Sequence, residues 1–163
     1  MPSTPSAPSA PPPAVVASTV RRLVESPWAE DDRERQRQFE AWGVVPHAEV
    51  PDHPRWGVGI PGWGDALMCW SWDDRVGLVG VGWFLWGSLD AAAREAAATA
   101  LMGSLSAEFG RPSIRDGQRC EWRIWELPGV TVEFCPCGER VQVHVLASSL
   151  AVDESEARGI HVA

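Results

Sequence analysis

The stretch EWRIWELPGVTVEFCPCGERVQVHVLA, residues 121–147, alternates apolar and polar residues in three runs, with Pro-Gly and Cys-Pro-Cys-Gly between them. Alternation with a period of two predicts three strands joined by tight turns, each with one buried face. A shift of one residue would exchange the two faces of a strand, so the pattern of apolar residues favours one register. That register pairs Glu126 with Val130, Ile124 with Val132, Arg123 with Glu133, and Trp122 with Phe134.

The predicted register selects candidate partner-binding residues. It places Trp125 on the charged side of its strand, beside Arg123 and Glu133. Tryptophan is enriched among the residues that dominate binding in protein interfaces. We therefore predict that Trp125, Arg123 and Glu133 bind a partner, with burial of Trp125 under a second layer or a loop as the alternative. In the third run, the predicted core residues are Val141, Val143 and Val145, with Gln142 and His144 on the outer face.

The Cys-Pro-Cys at residues 135–137 is predicted to be a turn. Paired zinc ligands are usually separated by two to four residues and redox pairs by two, whereas here only one residue intervenes. Cys120 ends the adjoining run, so a contact with Cys137 or a cluster of three thiols is the alternative. Because no secretory signal is visible, four cysteines favour reduced thiols and a cytoplasmic location. We expect no metal, no cofactor and no obligatory disulfide.

Strands and helices are also indicated on the N-terminal side of this stretch. Residues 66–87 divide at Asp73-Asp74 into a hairpin. The run GSLDAAAREAAATALMGSLSAEFG predicts a helix over 89–109 that begins at a Ser88 or Asp90 cap. Its predicted buried stripe consists of Ala93, Ala97, Leu101, Leu105 and Phe109.

A second helix is predicted over 27–42 and is capped by Ser26. The sequence thus predicts an α+β fold, in which an antiparallel sheet of five to six strands carries two main helices. The predicted single domain spans 14–150. A Pro-rich, disordered tail at 1–13 precedes it, and a flexible segment at 151–163 follows it.

Composition restricts the kinds of partner. The chain has 163 residues, with 22 acidic and 14 basic side chains and a net charge of −8. This balance disfavours nucleic acids and anionic membranes and favours a protein partner, most simply a basic one. The ten tryptophans exceed what one sheet and two helices are expected to bury, so that a few of them are expected to anchor a partner.

Four segments together resemble a family of small uncharacterised proteins from high-GC bacteria. They are FEAWGV, GIPGWGDALMCWSWDDRVGLVGVGWFLWG, the Ala-rich helix that ends in EFGRPS, and CEWRIWELPGVTVEFCPCGERVQVHVLASS. The resemblance covers roughly residues 26–150 and contains no catalytic signature. It implies a protein of a type whose genes often lie beside secretion and toxin genes.

Three functions are compatible with these features. The first is a non-catalytic, cytoplasmic protein-binding domain, such as an immunity protein that neutralises a toxin. The second is a secretion chaperone or adaptor, a class with a similar order of helices and strands. The third is a small enzyme that uses the acid–histidine cluster of a Pro-rich loop. That cluster consists of His47, Glu49, Asp52 and His53.

Overall fold

A computed structural model describes residues 10–42, 45–46, 55–58 and 62–147, with the backbone alone for 45–46 and 55–58. Three helices lie in these ranges: α1 at Pro13–Glu25, α2 at Asp32–Ala41 and α3 at Ala91–Phe109. The first two lie before the strands, and α3 separates the first four strands from the last four. The chain therefore has the α+β character that the sequence predicts.

The strands form one antiparallel sheet in the order β1-β2-β3-β4-β8-β7-β6-β5. Five of the strands are those predicted from the sequence: β3 (Leu67–Asp73), β4 (Gly77–Leu85), β6 (Glu121–Leu127), β7 (Val130–Cys135) and β8 (Val141–Ala147). A sixth strand, β5 (Ser113–Asp116), pairs with β6 and was not predicted. Two short strands, β1 (Val45–Pro46) and β2 (Arg55–Val58), extend its β3 edge. The predicted hairpin at Asp73-Asp74 is confirmed as β3–β4, and β8 connects the two halves of the sheet.

One face of the sheet and the helices enclose the core. A row of directly opposed residues crosses five strands on this face: Trp125, Val132, Val145, Val81 and Trp70. Buried side chains from all three helices join the same cluster, including Val16 of α1, Phe39 of α2 and Leu101 of α3. We call this side of the sheet the helix-covered face and the other side the second face.

The register between β6 and β7 differs by one residue from the prediction. Leu127, not Glu126, lies opposite Val130, and Ile124 lies opposite Glu133. The connection is a two-residue turn in which Gly129 has φ 78°, a value that a type II turn requires at its third residue. The predicted core face is therefore wrong for β6 but confirmed for Val141, Val143 and Val145 of β8, which are fully buried.

The predicted helix at 89–109 is confirmed as α3, and the Asp90 side chain caps it by accepting a hydrogen bond from the Ala93 N–H at 2.8 Å. Leu101 and Leu105 are fully buried, whereas Ala93 is exposed and not part of the stripe. The stripe begins later because only the second half of α3 lies over the core, where Ala98 is also buried.

The predicted start of α2 at residue 27 is wrong. Asp31 caps the helix by accepting from the Glu34 N–H at 2.8 Å, and the Glu34 carboxylate accepts from the Glu30 N–H at 3.0 Å. This reciprocal capping box fixes the first turn after Asp31. The Ser26 hydroxyl instead donates to the Arg22 carbonyl at the end of α1.

The boundary of the predicted N-terminal tail also moves. Ala10–Pro12 belong to the folded part, because the Trp86 Nε1 donates to the Pro11 carbonyl at 2.9 Å, and Pro13 already begins α1. Residues 1–9 of the predicted tail and the predicted flexible segment 151–163 lie outside the described residues. No helix in the described part of the chain has the length and apolar character that a bilayer crossing requires.

Replacement of Leu101 by Asp should test the position of the core. Leu101 has no exposed surface, so the new carboxylate would lie unpaired in the apolar cluster. We expect a loss of about 3 kcal/mol or more in the free energy of unfolding, measured by urea denaturation. The neighbouring exposed residue provides the control, since Ala100→Asp should cost less than about 1 kcal/mol. Equal effects of the two changes would contradict this packing of α3.

Candidate partner-binding surfaces

The structure places Trp125 in the core. Its side chain is 2% exposed and lies under the C-terminal end of α3, with its ring 6.5 Å from that of Phe109. The indole Nε1 donates to the Gly110 carbonyl at 2.8 Å, which satisfies the only polar atom of the side chain. The predicted role of Trp125 as an exposed anchor is therefore wrong, and the alternative, burial under a second layer, describes it correctly.

The other two predicted binding residues lie on opposite faces of the sheet. Arg123 faces Phe134 on the helix-covered face, and its guanidinium lies 3.2 Å from the Glu121 carboxylate. Glu133 lies on the second face, where it pairs with Arg115. The predicted ion pair between Arg123 and Glu133 is thus absent because the shifted register separates these side chains. Sequence reasoning did not identify Arg115, which lies in β5.

His144 lies at the centre of the second face and is 2% exposed. Its ring packs against Trp122 and Phe84, with centroids 6.1 Å and 5.8 Å away, and its Nε2 lies 3.3 Å from the Gln142 side-chain oxygen. The ring covers Gly82, where an added Cβ would lie 2.1 Å from Nδ1. The predicted outward direction of His144 is confirmed, but the alternating pattern gave no signal of its burial.

Glu133 and His144 are buried polar residues rather than parts of an exposed binding site. Glu133 is 7% exposed, and its cross-strand neighbour is His144. Glu133 is buried, whereas the Arg115 side chain is 41% exposed, so that removal of Arg115 would take a partner from a buried carboxylate and is expected to be costly. We therefore assign the pair of Arg115 and Glu133 a structural role: it connects β5 to β7 across the intervening β6.

The expectation of reduced thiols is wrong for Cys120 and Cys137, and the alternative, a contact between these two residues, describes them correctly. Cys120 and Cys137 are bonded, with Cα atoms 5.9 Å apart, and the bond joins the β5–β6 loop to the β7–β8 loop. Cys-Pro-Cys is nevertheless a connection between strands, as predicted. Disulfides are rare in reducing compartments, so one of the two arguments for a cytoplasmic location no longer applies. The location stays a prediction that rests on the sequence.

The two remaining cysteines are buried thiols. Burial raises the pKa of Cys69 to about 12, and burial also raises the pKa of Cys135. Nucleophilic and metal-binding cysteines act as thiolates, which these environments disfavour near neutral pH. Within the described ranges, no group of three His, Cys, Asp or Glu side chains is arranged to hold a metal ion. The predicted cluster of His47, Glu49, Asp52 and His53 lies outside these ranges.

Two acidic segments meet at one end of β3 and β4. The Leu78 N–H donates to the Ala29 carbonyl at 2.8 Å, and a Cβ on Gly77 would lie 2.4 Å from the same oxygen. Backbone contact therefore holds the chain before α2 against the β3–β4 turn. We call residues 28–32 and 72–76 the acidic corner. It contains Trp28, Glu30, Asp31, Asp32, Trp72, Asp73, Asp74, Arg75 and Val76.

The acidic corner combines exposed carboxylates with apolar surface. Four of its five acidic residues are exposed, and the fifth, Asp73, is half-buried. The two segments contain a single arginine, Arg75, whose hydrogen bonds lower the pKa of Asp73. Val76 is 51% exposed at the tip of the turn, and Trp28 and Trp72 are half-buried. An apolar centre surrounded by charged residues is the usual arrangement of a protein interface.

Comparison with known proteins returns no relative. No protein-family model, no curated protein and no solved structure matches this chain. The function must therefore be inferred from the contacts, burial and charges described above.

Replacement of Trp125 by Phe should destabilise the fold, because it removes the hydrogen bond to Gly110 and part of a buried ring. We expect a loss of about 1–3 kcal/mol in the free energy of unfolding, measured by urea denaturation. Trp72→Phe, at a half-buried position, should cost less. If Trp125→Phe left stability unchanged, Trp125 would not be the core residue that the structure shows.

The oxidation state of the cysteines can be measured by counting thiols. In denatured protein without reductant, a thiol reagent should count two reactive thiols, those of Cys69 and Cys135. After reduction of the disulfide it should count four. Before denaturation, at about pH 8, both should react slowly, because burial keeps them protonated and shielded. Cys120→Ser should raise the unreduced count to three. Four thiols in the unreduced protein would contradict the disulfide.

Proposed function

We propose that this domain binds a basic protein through the acidic corner and neutralises it, as an immunity protein neutralises a toxin. One observation carries the proposal: backbone contact between Ala29 and Leu78 joins two segments that together contain five carboxylates and the exposed side chain of Val76. Carboxylates at the rim of an interface accelerate encounter with a positively charged partner. Apolar side chains at the centre then slow dissociation.

Some carboxylates of the acidic corner already have partners within the chain, and others do not. Asp31 caps α2, Asp32 lies 2.7 Å from the Arg35 guanidinium, and Asp73 pairs with Arg75. Glu30 and Asp74 are exposed, and no ion pair with another described residue is recorded for either side chain. These two carboxylates can therefore be neutralised with little effect on the fold, and they are the most direct probes of steering.

The first candidates for the partner are the products of the neighbouring genes, because genes of immunity proteins and their toxins are adjacent in the kind of locus that the sequence resemblance implies. Each product should be tested alone for binding to this domain by surface-based kinetics over a series of salt concentrations. For a basic partner, the association rate should fall by about tenfold or more between low and physiological salt, because steering is screened.

The double variant Glu30→Gln/Asp74→Asn should lower the association rate at low salt by roughly 3- to 10-fold, with a smaller effect on dissociation. Val76→Ser should mainly raise the dissociation rate, because it removes apolar contact. Glu95→Gln, which neutralises an exposed carboxylate on α3, is the control and should change neither rate. Equal effects of the control and the double variant would contradict docking at the corner.

The effect of binding on the activity of the partner must also be measured. If the partner is a toxin, co-expression of this domain should restore growth, and the double variant should restore it less well at matched expression. Binding that leaves the partner's activity intact would instead favour an adaptor or chaperone. A domain that turns over a small molecule with dependence on His47 or His53 would overturn both proposals.

A further inference from the structure

A row of buried residues crosses five strands on the second face of the sheet. Cys69, Gly82, His144, Glu133 and Ile124 are opposed in this order on β3, β4, β8, β7 and β6. All five are buried, and none of the four that carry a side chain is more than 8% exposed. We call these five residues the second-face row.

The described helices do not explain this burial. Their buried side chains lie in the core on the opposite, helix-covered face. Side chains stand roughly perpendicular to a sheet, so neighbours on the same face shield a residue from the side and leave its outer end in water. Trp122 and Phe84 flank His144 in this way. Burial of the whole row therefore requires a segment of chain above it.

The segments that join the first three strands are too short to provide this cover. Residues 47–54 connect β1 and β2, and Glu133 on β7 lies four strand positions from β2, or about 19 Å at a spacing of ~4.8 Å. Crossing to β7 and returning takes about 38 Å, whereas eight residues span at most about 29 Å. Residues 59–61, between β2 and β3, are fewer still.

The N-terminal residues 1–9 are joined to the other face. They precede Pro11, whose carbonyl accepts the hydrogen bond of Trp86 within the core. To cover the second-face row, they would have to pass around an end of the sheet before crossing it.

Residues 148–163 have both the position and the length to cover the row. They follow β8, the middle strand of the row, and Ala147 lies three residues beyond His144. The two ends of the row, on β3 and β6, are each two strand positions from β8, or about 10 Å. Sixteen extended residues span about 53 Å, so a chain that turns after Ala147 reaches any part of the row.

We propose that residues 148–163 fold back over the second face and cover the second-face row. The covering replaces the flexible segment that the sequence predicts at 151–163. It closes this face to other partners, and it does not depend on the proposed function, which concerns the acidic corner.

The last residues of this segment supply the contact. Arg158, Ile160 and Val162 are spaced by two, so in an extended segment they share one face. This face combines two apolar side chains with a positive charge, and the row combines apolar surface with the buried carboxylate of Glu133. A carboxylate accepts hydrogen bonds from more than one donor, so Arg158 can join Arg115 there.

Two thiols report on the cover. Cys69 and Cys135 lie on the second face and are free. In the full chain, Ile160→Ser/Val162→Ser should raise the rate at which they react with a thiol reagent at about pH 8 by about fivefold or more. The reason is that loss of the apolar contacts lets the segment open more often.

The matched control is Val15→Ser/Val76→Ser, which shortens two exposed apolar side chains elsewhere and should leave the rate unchanged. Two tryptophans of β6 locate the change. In nuclear magnetic resonance spectra of the C-terminal variant, the indole N–H signal of Trp122, on the second face, should move, and that of Trp125, under α3, should not. Equal thiol rates in the two double variants, an unmoved Trp122 signal or equal shifts of both signals would overturn the proposal.

The alternative occupant is a second copy of the chain, and protein concentration distinguishes the two. Cover by the chain's own segment predicts the same thiol reaction rate from about 10 μM to about 500 μM, because the contact is intramolecular. A rate that falls as the concentration rises would show protection by mass action and would overturn the proposal.

Discussion

The turn at Pro128 and Gly129 determines which face of β6 enters the core. Because successive side chains of a strand point to opposite faces, one residue more or less in this turn would reverse the whole strand. With two residues in the turn, Trp125 and Leu127 face the helices. Burial of the Trp125 indole outweighs the placement of Ile124 opposite Glu133, since a tryptophan removes more apolar surface from water than an isoleucine does.

The sequence determined the register only where its pattern left no choice. In β8 the valines occupy one parity and polar residues the other, so its core face could be predicted. In β6 both parities carry large apolar residues, Trp122 and Ile124 on one and Trp125 and Leu127 on the other, and turn length decides between them. The contact between Cys120 and Cys137 was predicted only as an alternative, because the sequence does not show whether the two Cα atoms lie close enough for a disulfide. The start of α2 was predictable in principle, since Asp31 and Glu34 have the spacing of a capping box.

The candidate binding residues could be predicted from the sequence even less well than the register. Trp125 was selected because of a face that it does not occupy, whereas the acidic corner depends on a contact between segments almost fifty residues apart in sequence, Ala29 and Leu78. Composition predicted an acidic partner-binding surface in general terms. Its position could not be predicted, because no local pattern indicates that the turn after Asp73 packs against the chain before α2.

The net charge of −8 does not by itself determine where a basic partner would bind, because charged surfaces at different places on the sheet act separately. Strand β3, which ends at the acidic corner, lies five strand positions from β5 in the sheet, or about 24 Å at a spacing of ~4.8 Å. The Debye length at physiological salt is about 8 Å, so the charges at each surface act almost independently. Local charge therefore governs each contact. Carboxylates dominate the corner, whereas β5 carries one arginine and one aspartate, and Glu133 already neutralises Arg115. The electrostatic steering that we propose therefore depends on the carboxylates of the corner and not on the charges of β5.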